Sequence, residues 1–293
     1  MQKRTTFFKL FIVCFLILSP GCKNPYHSSG HDSTFTFGVL DVGQGLAQIG
    51  RIRTEAIIWD FGPQAGISGF LDGYRKLGSP VIHSTILSHS DNDHRGGLAL
   101  LPDSISYSGV VVVSPYEDTA LIREEAGHWK NDIVFRTIVQ GDTIGGLSGV
   151  YIECLWPPAT IVEPYPFEES RLKNRYSLCF MVSHENCRSI ITSDIDTFAT
   201  ARLSRNYGYA LAADIIVVPH HGSNSAVDPV FYGYVNPQRA LISCEIPPNN
   251  YGHPSQETID LLFQMDVSVV ATYDEGHVVG RSNGEYWQWE NPD

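Results

Sequence analysis

The chain has 293 residues, of which 43% are hydrophobic and 18% are charged. This globular composition excludes wholesale disorder and fibrous repeats, and the length suits one large domain or two small ones. The formal net charge of −12 argues against a basic protein that coats nucleic acid.

The first 21 residues have the organisation of a secretory signal peptide. Lys3 and Arg4 give a positive start, and residues 10–18 form an apolar run that is too short to cross a bilayer as an ordinary helix. The small residue before Cys22 resembles a bacterial lipobox, although Ser19 stands where lipoboxes usually carry leucine. We therefore expect an extracytoplasmic lipoprotein of a bacterial envelope, anchored in the membrane by a lipid on Cys22. Ordinary secretion and an uncleaved anchor are the alternatives.

Residues 22–33 are polar and are predicted to form a tether, and residues 34–293 are predicted to form a single domain. Within this domain, short apolar runs predict strands, and the stretches between them predict helices. This alternation predicts a layered α/β or α+β fold, with a surface loop at 157–169. The predicted strands are 34–40, 45–52, 56–59, 81–87, 110–113, 151–156, 178–182, 189–192, 215–218, 240–243 and 267–272. The predicted helices are 67–77, 96–101, 119–129, 197–207 and 255–265.

Four cysteines belong to this domain, and none of them is part of a Cys-x-x-Cys pair. A thiolate zinc site is therefore not predicted. An extracytoplasmic compartment would permit disulfides, but buried free thiols are the expected state. The four residues are Cys154, Cys179, Cys187 and Cys244.

The most informative segment directly follows the predicted strand 81–87. Four potential metal ligands, His89, Asp91, Asp93 and His94, lie within six residues on a turn, where their side chains can converge. Imidazole together with carboxylate suits zinc, manganese or iron. A solvated polar turn that caps a helix is the alternative, but this spacing behind a β-strand favours a metal site.

Two further predicted strands end in potential ligands. Asp194 follows the strand 189–192, and the pair His220 and His221 follows the strand 215–218. A hydrolytic two-metal site needs a carboxylate that can bridge both ions and ligands from several strand ends. Asp194 fits the bridge, and one residue of the histidine pair fits a terminal ligand. Taken singly, the aspartate could be a turn former and the histidines a polar strand end.

His253 lies in a turn just before the predicted helix 255–265. It is a candidate for binding the substrate or transferring a proton near the metals. The alternative is a turn histidine with a purely structural role.

In this order, the motifs resemble the metallo-β-lactamase superfamily. The greatest likeness is to the branch that forms the nuclease-like domain of the DNA-uptake channel protein ComEC and its stand-alone secreted relatives. The resemblance implies a four-layer αββα sandwich, an α/β fold with two mixed β-sheets face to face and helices outside. It also implies two divalent metal ions, zinc or manganese, at the strand ends. The matching segments are 39–45, 59–62, 89–98, 174–178, 192–195, 218–223 and 250–254.

The resemblance further implies roles for individual residues. Asp60 and Asn174 would be orienting residues, and Asp60 would orient the first motif by hydrogen bonds rather than bind metal. The implied ligands are His89 and Asp91 for the first ion, Asp93 and His94 for the second, Asp194 as the bridge, and His221, in preference to His220, as the last ligand.

Three positions depart from the superfamily pattern. Asp91 replaces a common histidine, and an oxygen ligand there favours harder ions such as Mn²⁺. Asn174 occupies the region of a usual mid-chain histidine ligand, which would leave the first ion weakly held. Leu46 replaces an acidic residue that is frequent in ComEC-like chains.

Together these patterns predict an extracytoplasmic metal-dependent hydrolase that uses a hydroxide held between two ions. Asp93, Asp194 and His253 are its expected catalytic residues. The favoured substrate is a phosphodiester, either a small one, a wall polymer or single-stranded DNA. The alternatives are a non-catalytic metal- or DNA-binding envelope lipoprotein that assists uptake, and a hydrolase of the lactonase or lactamase type. No protein partner is predicted.

Overall fold

The computed structural model describes residues 34–160 and 169–290. The predictions for the leader, for Cys22, for the tether and for most of the loop 157–169 concern residues outside these ranges. The strands within them are β1 Phe35–Val39, β2 Ala47–Ile52, β3 Glu55–Phe61, β4 Val81–Leu87, β5 Val110–Val113, β6 Val134–Thr137, β7 Thr143–Ile144, β8 Val150–Trp156, β9 Cys179–His184, β10 Cys187–Ile191, β11 Ile215–Val217, β12 Arg239–Ile242, β13 Ser268–Ala271, β14 Val278–Ser282 and β15 Trp287–Glu290. The α-helices are α1 Ile67–Lys76, α2 Asn92–Arg95, α3 Thr119–Glu125, α4 Glu169–Arg175, α5 Thr197–Tyr207, α6 Pro229–Val235, α7 Gln256–Gln264 and α8 Thr272–Glu275.

The strands form two mixed sheets. The first has the order β15-β14-β1-β2-β3-β4-β5-β6, and the second has the order β13-β12-β11-β10-β9-β8-β7. Strands β3 to β6 of the first sheet are parallel, and so are strands β10 to β13 of the second. The remaining neighbours are antiparallel. Each sheet therefore combines hairpins with crossover connections.

The two sheets face each other across an apolar core, to which Phe37 and Trp59 of the first sheet and Phe180 and Val217 of the second contribute. Helix α1 covers the outer face of the first sheet, where Phe70 is buried. Helices α5, α6 and α7 cover the outer face of the second sheet. This is an αββα sandwich, as predicted. Burial on both faces explains why many strands are continuous apolar runs rather than alternating ones.

The parallel strands bring the predicted ligands to one edge of the sandwich. In a parallel group all carboxyl ends meet at the same edge, which is where such folds hold their ligands. Strand β4 is followed by His89, β10 by Asp194, β11 by His220 and His221, and β12 by Ser243.

Some elements escaped the sequence patterns. Strand β6 lies at a sheet edge and is largely exposed, and β7 has two residues, so neither has a clear apolar signature. Helix α6 is rich in aromatic and β-branched residues, which have low helix propensity. It forms because Asp228 caps its first turn and Pro229 begins it. The predicted helix 119–129 ends as an α-helix at Glu125.

The four cysteines of the domain are free and buried, as expected. Burial raises the pKa of the Cys154 thiol to about 12, which leaves it unreactive at neutral pH. In the part of the chain that the structure describes, no helix is both long enough and apolar enough to traverse a bilayer.

Candidate metal centre

The predicted metal ligands gather at the edge of the sandwich where the parallel strands end. Asp194 lies at the centre of the group and is buried. Its Oδ1 atom is 3.1 Å from Nε2 of His94 and 3.6 Å from Nε2 of His221. Its Oδ2 atom is 3.6 Å from Nε2 of His220 and 3.9 Å from Nε2 of His89. Each oxygen of this carboxylate thus faces a different pair of imidazoles, and the ligand atoms of His89, His94 and Asp194 also lie within 4.8 Å of one another.

We call these sets half-sites. The first half-site comprises His89, Asp91 and His220, and the second comprises Asp93, His94 and His221. The resemblance favoured His221 over His220 as the ligand from the histidine pair. In the structure both face Asp194, His220 toward Oδ2 and His221 toward Oδ1.

The second half-site is held by strong acceptors. The Nδ1–H of His94 donates to Oδ2 of Asp60 over 2.7 Å, and the Nδ1–H of His221 donates to the backbone carbonyl of Ser243 over 2.7 Å. In the neutral ring, each bond places the proton on Nδ1 and leaves Nε2 unprotonated, which is the form that binds metal. Oδ2 of Asp93 lies 3.4 Å from Nε2 of His221 and completes this half-site.

The first half-site is held more loosely. Nε2 of His89 lies 3.6 Å from Oδ2 of Asp91, while Oδ1 of Asp91 lies 3.7 Å from Nζ of Lys173. Nδ1 of His220 contacts the Ser225 hydroxyl at 2.9 Å. The Nδ2 amide of Asn174 donates to Nε2 of His220 over 3.2 Å. Asn174 therefore lies at the centre, as its position in the motif pattern implied, and contacts a histidine there.

Ser88 is a site residue that the sequence reasoning missed. Its hydroxyl donates to Oδ2 of Asp60 over 2.6 Å, and its backbone N–H donates to Oδ1 of Asp60 over 2.8 Å. The Oγ atom of Ser88 lies 3.0 Å from Nδ1 of His89, from which it accepts. One serine thus couples Asp60 to the first ligand of the motif. The only signal in the sequence was its place between a buried strand and a histidine.

The backbone of the centre is strained in the way that functional sites often are. Asp60, Ser193, His220 and His221 all adopt positive φ angles, which are uncommon for residues other than glycine. At Gly45, φ is +152°, and a Cβ atom there would lie 2.4 Å from the carbonyl oxygen of Asp93. A glycine is therefore required where the loop between β1 and β2 approaches the turn that contains Asp93.

Burial and charge act in opposite directions on the titrating groups. Burial favours the neutral form of Asp194, but the imidazoles of His94, His221 and His220 outweigh it and hold its pKa well below the usual range. Burial likewise opposes the charge on His94, but Asp194 and Asp60 raise its pKa well above the usual value. The pKa of His220 is lowered, chiefly by burial. The second half-site thus attracts positive charge strongly.

Several buried polar atoms of the centre have no hydrogen-bond partner, and they lie close to one another around Asp194. Nε2 of His89, His94 and His221 and Oδ1 of Asp194 are buried without a hydrogen bond, a state that is costly unless another partner is present. The separations of 3.1 to 3.9 Å given above for the Asp194 oxygens match the roughly 3.4 Å expected between ligands about 2.1 Å from a tetrahedral ion. These residues fit divalent metal.

His253, predicted to lie near the metals, is found beside the histidine pair. Its ring centre lies 5.3 Å from that of His220 and 6.1 Å from that of His221. Burial and the two neighbouring imidazoles lower its pKa to about 4. His253 is therefore neutral at physiological pH.

Known proteins resemble the chain in sequence over most of its length. It is 27% identical over 222 residues to competence protein ComA of Neisseria gonorrhoeae, covering 74% of this chain and 28% of the relative. It is 24% identical over 240 residues to recombination protein 2 of Haemophilus influenzae, covering 80% of this chain and 26% of the relative. The chain thus spans about a quarter of the length of these relatives, 28% and 26% respectively.

Solved structures share its fold at low sequence identity. The metallo-β-lactamase fold protein YhfI from Bacillus subtilis superposes with a TM-score of 0.58 and 10% identity, covering 85% of this chain and all of that one, 100%. Zinc-bound PqqB from Methylobacterium extorquens gives a TM-score of 0.51 and 10% identity, covering 80% and 97% of the two chains. No protein-family model matches the chain.

The chain therefore has the metallo-β-lactamase fold and resembles the competence proteins in sequence. Both resemblances that the motifs predicted are confirmed.

Proposed function

We propose that this protein is a metal-dependent phosphodiesterase that uses two divalent ions, zinc or manganese. The observation that carries the proposal is the position of Asp194, whose two oxygens face two sets of histidine and aspartate ligands. A carboxylate so placed can bridge two ions. In hydrolases, such ions supply an activated water molecule and neutralise charge on phosphoryl oxygens.

The protein's own residues would hold and orient this centre. Asp93, His94 and His221 would bind one ion, and His89, Asp91 and His220 the other. Asp60 and Ser88 would keep His94 and His89 in their metal-binding tautomers through the hydrogen bonds described above. His253 would contact the substrate, because it adjoins both His220 and His221.

The net negative charge of the molecule limits which phosphodiesters it can attract. With a net charge of −12, the protein repels long polyanions, so the ions themselves and nearby cations would have to attract the phosphodiester. Lys173 is one such cation at the centre, where it pairs with Asp91 at 3.7 Å. This balance favours small phosphodiesters and wall polymers over long DNA, with single-stranded DNA still a candidate.

We further propose that the enzyme acts outside the cytoplasm, attached to the membrane through a lipid on Cys22. The leader-like composition of residues 1–21 and the likeness to competence proteins support this location. Mass spectrometry of the native protein should find an N-terminus at Cys22 that carries lipid. Recovery of a cytosolic protein that retains residues 1–21 would contradict this part of the proposal.

The proposed activity can be tested on the purified protein loaded with Mn²⁺ or Zn²⁺. Bis-p-nitrophenyl phosphate, a phosphocholine-bearing polymer and single-stranded DNA would be the phosphodiester substrates, and a lactone and a lactam the comparison. Hydrolysis of a phosphodiester that EDTA abolishes and added metal restores is the expected result. Preferential hydrolysis of the lactone or lactam would favour the other class of hydrolase. A fully metallated protein that hydrolyses none of the substrates would favour a non-catalytic binding protein.

A further inference from the structure

Gln44 lies next to His253 at the edge of the metal centre. Its Nε2 amide atom is 3.3 Å from Nδ1 of His253. Gln44 belongs to the loop between β1 and β2, whereas His253 precedes α7, 209 residues further along the chain. This contact does not belong to the two half-sites.

The orientation of the Gln44 amide is fixed by a second hydrogen bond. The backbone N–H of Glu245 donates to Oε1 of Gln44 over 3.3 Å. A backbone N–H can only donate, so the oxygen of the amide must face Glu245 and the NH₂ group must face His253. The amide is not free to present its oxygen to the histidine.

This arrangement determines which nitrogen of His253 carries the proton. Nδ1 accepts from the Gln44 amide and must be unprotonated, so the proton of the neutral ring resides on Nε2. Nε2 makes no hydrogen bond to any described residue, and it is not enclosed by the protein. It is available as a hydrogen-bond donor on a ring that lies beside the histidine pair.

The main chain of His253 is also held in place. Oδ1 of Asn249 accepts from the backbone N–H of His253 over 3.2 Å, and the Asn249 amide donates to the backbone carbonyl of His253. Thus the ring is positioned from its backbone by Asn249 and from its Nδ1 atom by Gln44.

We propose that Gln44 is a positioning residue that holds His253 as an Nε2–H donor toward an oxygen of the bound substrate. The assignment of a substrate rests on the phosphodiesterase activity proposed above, whereas the tautomer does not. Gln44→Glu separates the two roles of the side chain, because a carboxylate can still accept from the Glu245 N–H but has no hydrogen to give to His253. The ring would then carry its proton on Nδ1.

The tautomer can be read by ¹⁵N NMR on the full chain, purified in detergent with ¹⁵N-labelled histidine and loaded with Zn²⁺. The His253 signals are assigned by their loss in His253→Asn. We expect unprotonated Nδ1 and protonated Nε2 in the wild type, and a proton on Nδ1 in Gln44→Glu. Protonated Nδ1 in the wild type, or unchanged His253 signals in Gln44→Glu, would overturn the proposal.

A kinetic readout completes the test. Gln44→Glu should lower kcat for bis-p-nitrophenyl phosphate roughly 10- to 100-fold, the usual value of one hydrogen bond to a charged group, with the metal content unchanged. Gln64→Glu adds the same charge at an exposed position in the short 3-10 helix after β3 and should leave both kcat and the His253 signals unaltered. Equal kcat in Gln44→Glu and the wild type would overturn the role toward substrate. The expected NMR result in a protein that hydrolyses no phosphodiester would instead contradict the proposed activity and leave the tautomer assignment standing.

Discussion

The two half-sites of the metal centre share one carboxylate but are supported in different ways. In the second half-site, the Asp60 carboxylate and the Ser243 carbonyl anchor the Nδ1 atoms of the imidazoles, both over 2.7 Å. In the first, serine hydroxyls contact the corresponding atoms at 3.0 and 2.9 Å. A neutral hydroxyl is a weaker acceptor than a carboxylate.

The difference indicates that the half-sites will bind metal with unequal affinity. A group that accepts from the outer N–H of an imidazole raises the basicity of that imidazole as a metal ligand, and a carboxylate does so more than a neutral hydroxyl. Within the first half-site, Nε2 of His220 must also give up its hydrogen bond from Asn174. We therefore expect the second half-site to fill first.

Loss of the shared carboxylate should have the largest effect. Asp194→Ala removes the group that faces both half-sites, so neither ion is retained and phosphodiester hydrolysis falls below detection. Metal content by elemental analysis and the initial rate with bis-p-nitrophenyl phosphate check this outcome, and circular dichroism checks the fold. Asp196→Asn is a matched control, because Asp196 caps α5 and pairs with Arg175 outside the centre. If Asp194→Ala still bound two ions, the proposed bridging role of Asp194 would be wrong.

Substitution within the histidine pair should separate the half-sites. His221→Asn removes a ligand of the second half-site, and we expect loss of the tighter ion together with all activity. His220→Asn should lose only the weaker ion and retain one per chain. Titration of the metal-free variants with Mn²⁺, followed by electron paramagnetic resonance, counts the sites that remain. Identical titration curves for the two variants would mean that the half-sites are not distinct.

Asp60→Asn tests the anchoring of His94 directly, and that of His89 through Ser88, without removing a ligand. An amide that presents its NH₂ group to His94 would favour the wrong tautomer, and outer groups of this kind typically contribute 10- to 100-fold in metal affinity. We expect a weakening of roughly that size in competition with a chromophoric chelator. Ser225→Ala, which removes the hydroxyl beside His220, should affect only the weaker site. An equal loss at both sites in Ser225→Ala would argue for a general loss of folding instead.

The pH dependence of metal binding should also differ between the half-sites. Nearby carboxylates raise the pKa of both His94 and His221 against the effect of burial, so a proton competes with metal for Nε2 as the pH falls. Affinity of the second half-site should therefore decrease on acidification, by about tenfold per pH unit for each proton displaced. The pKa of His220 is lowered, chiefly by burial. A proton therefore competes less with metal for Nε2 of His220. Calorimetric titrations with metal at pH values from about 6 to about 8, a range that includes the ordinary histidine pKa of about 6.5, measure this dependence. Equal slopes of metal affinity against pH at the two half-sites would contradict the expected difference.

The smallest effect is expected at the edge of the first half-site. Lys173 is partly exposed and pairs with Asp91. If a metal ion neutralises Asp91, the ammonium group of Lys173 is free to attract an anionic substrate. Lys173→Ala should raise KM for a phosphodiester about two- to fivefold with kcat unchanged, the size expected for one exposed charge. Lys130→Ala, at an exposed position outside the centre, is the control. A fall in kcat at constant KM would assign Lys173 a different role.

Much of the centre was predictable because its ligands occur in dense local motifs. His89 to His94 form one turn behind an apolar strand, and Asp194 and the histidine pair follow other apolar runs. Since parallel strands end at a common edge, such motifs predict a shared site without any knowledge of distances. The αββα architecture came from the resemblance that the ordered motifs carry. Helix α6, in contrast, depended on its Asp228 cap rather than on apolar periodicity.

The residue types that can bind metal, and their positions after the strands, are evident from the amino-acid sequence. How these residues divide between two half-sites depends on the way the chain folds. His220 and His221 are adjacent in the chain, and their positive φ angles direct them to opposite oxygens of Asp194. The anchors Asp60, Ser88 and Ser243 come from three different strand ends. Which of them meets which imidazole depends on how the two sheets pack together, and no local pattern encodes that packing.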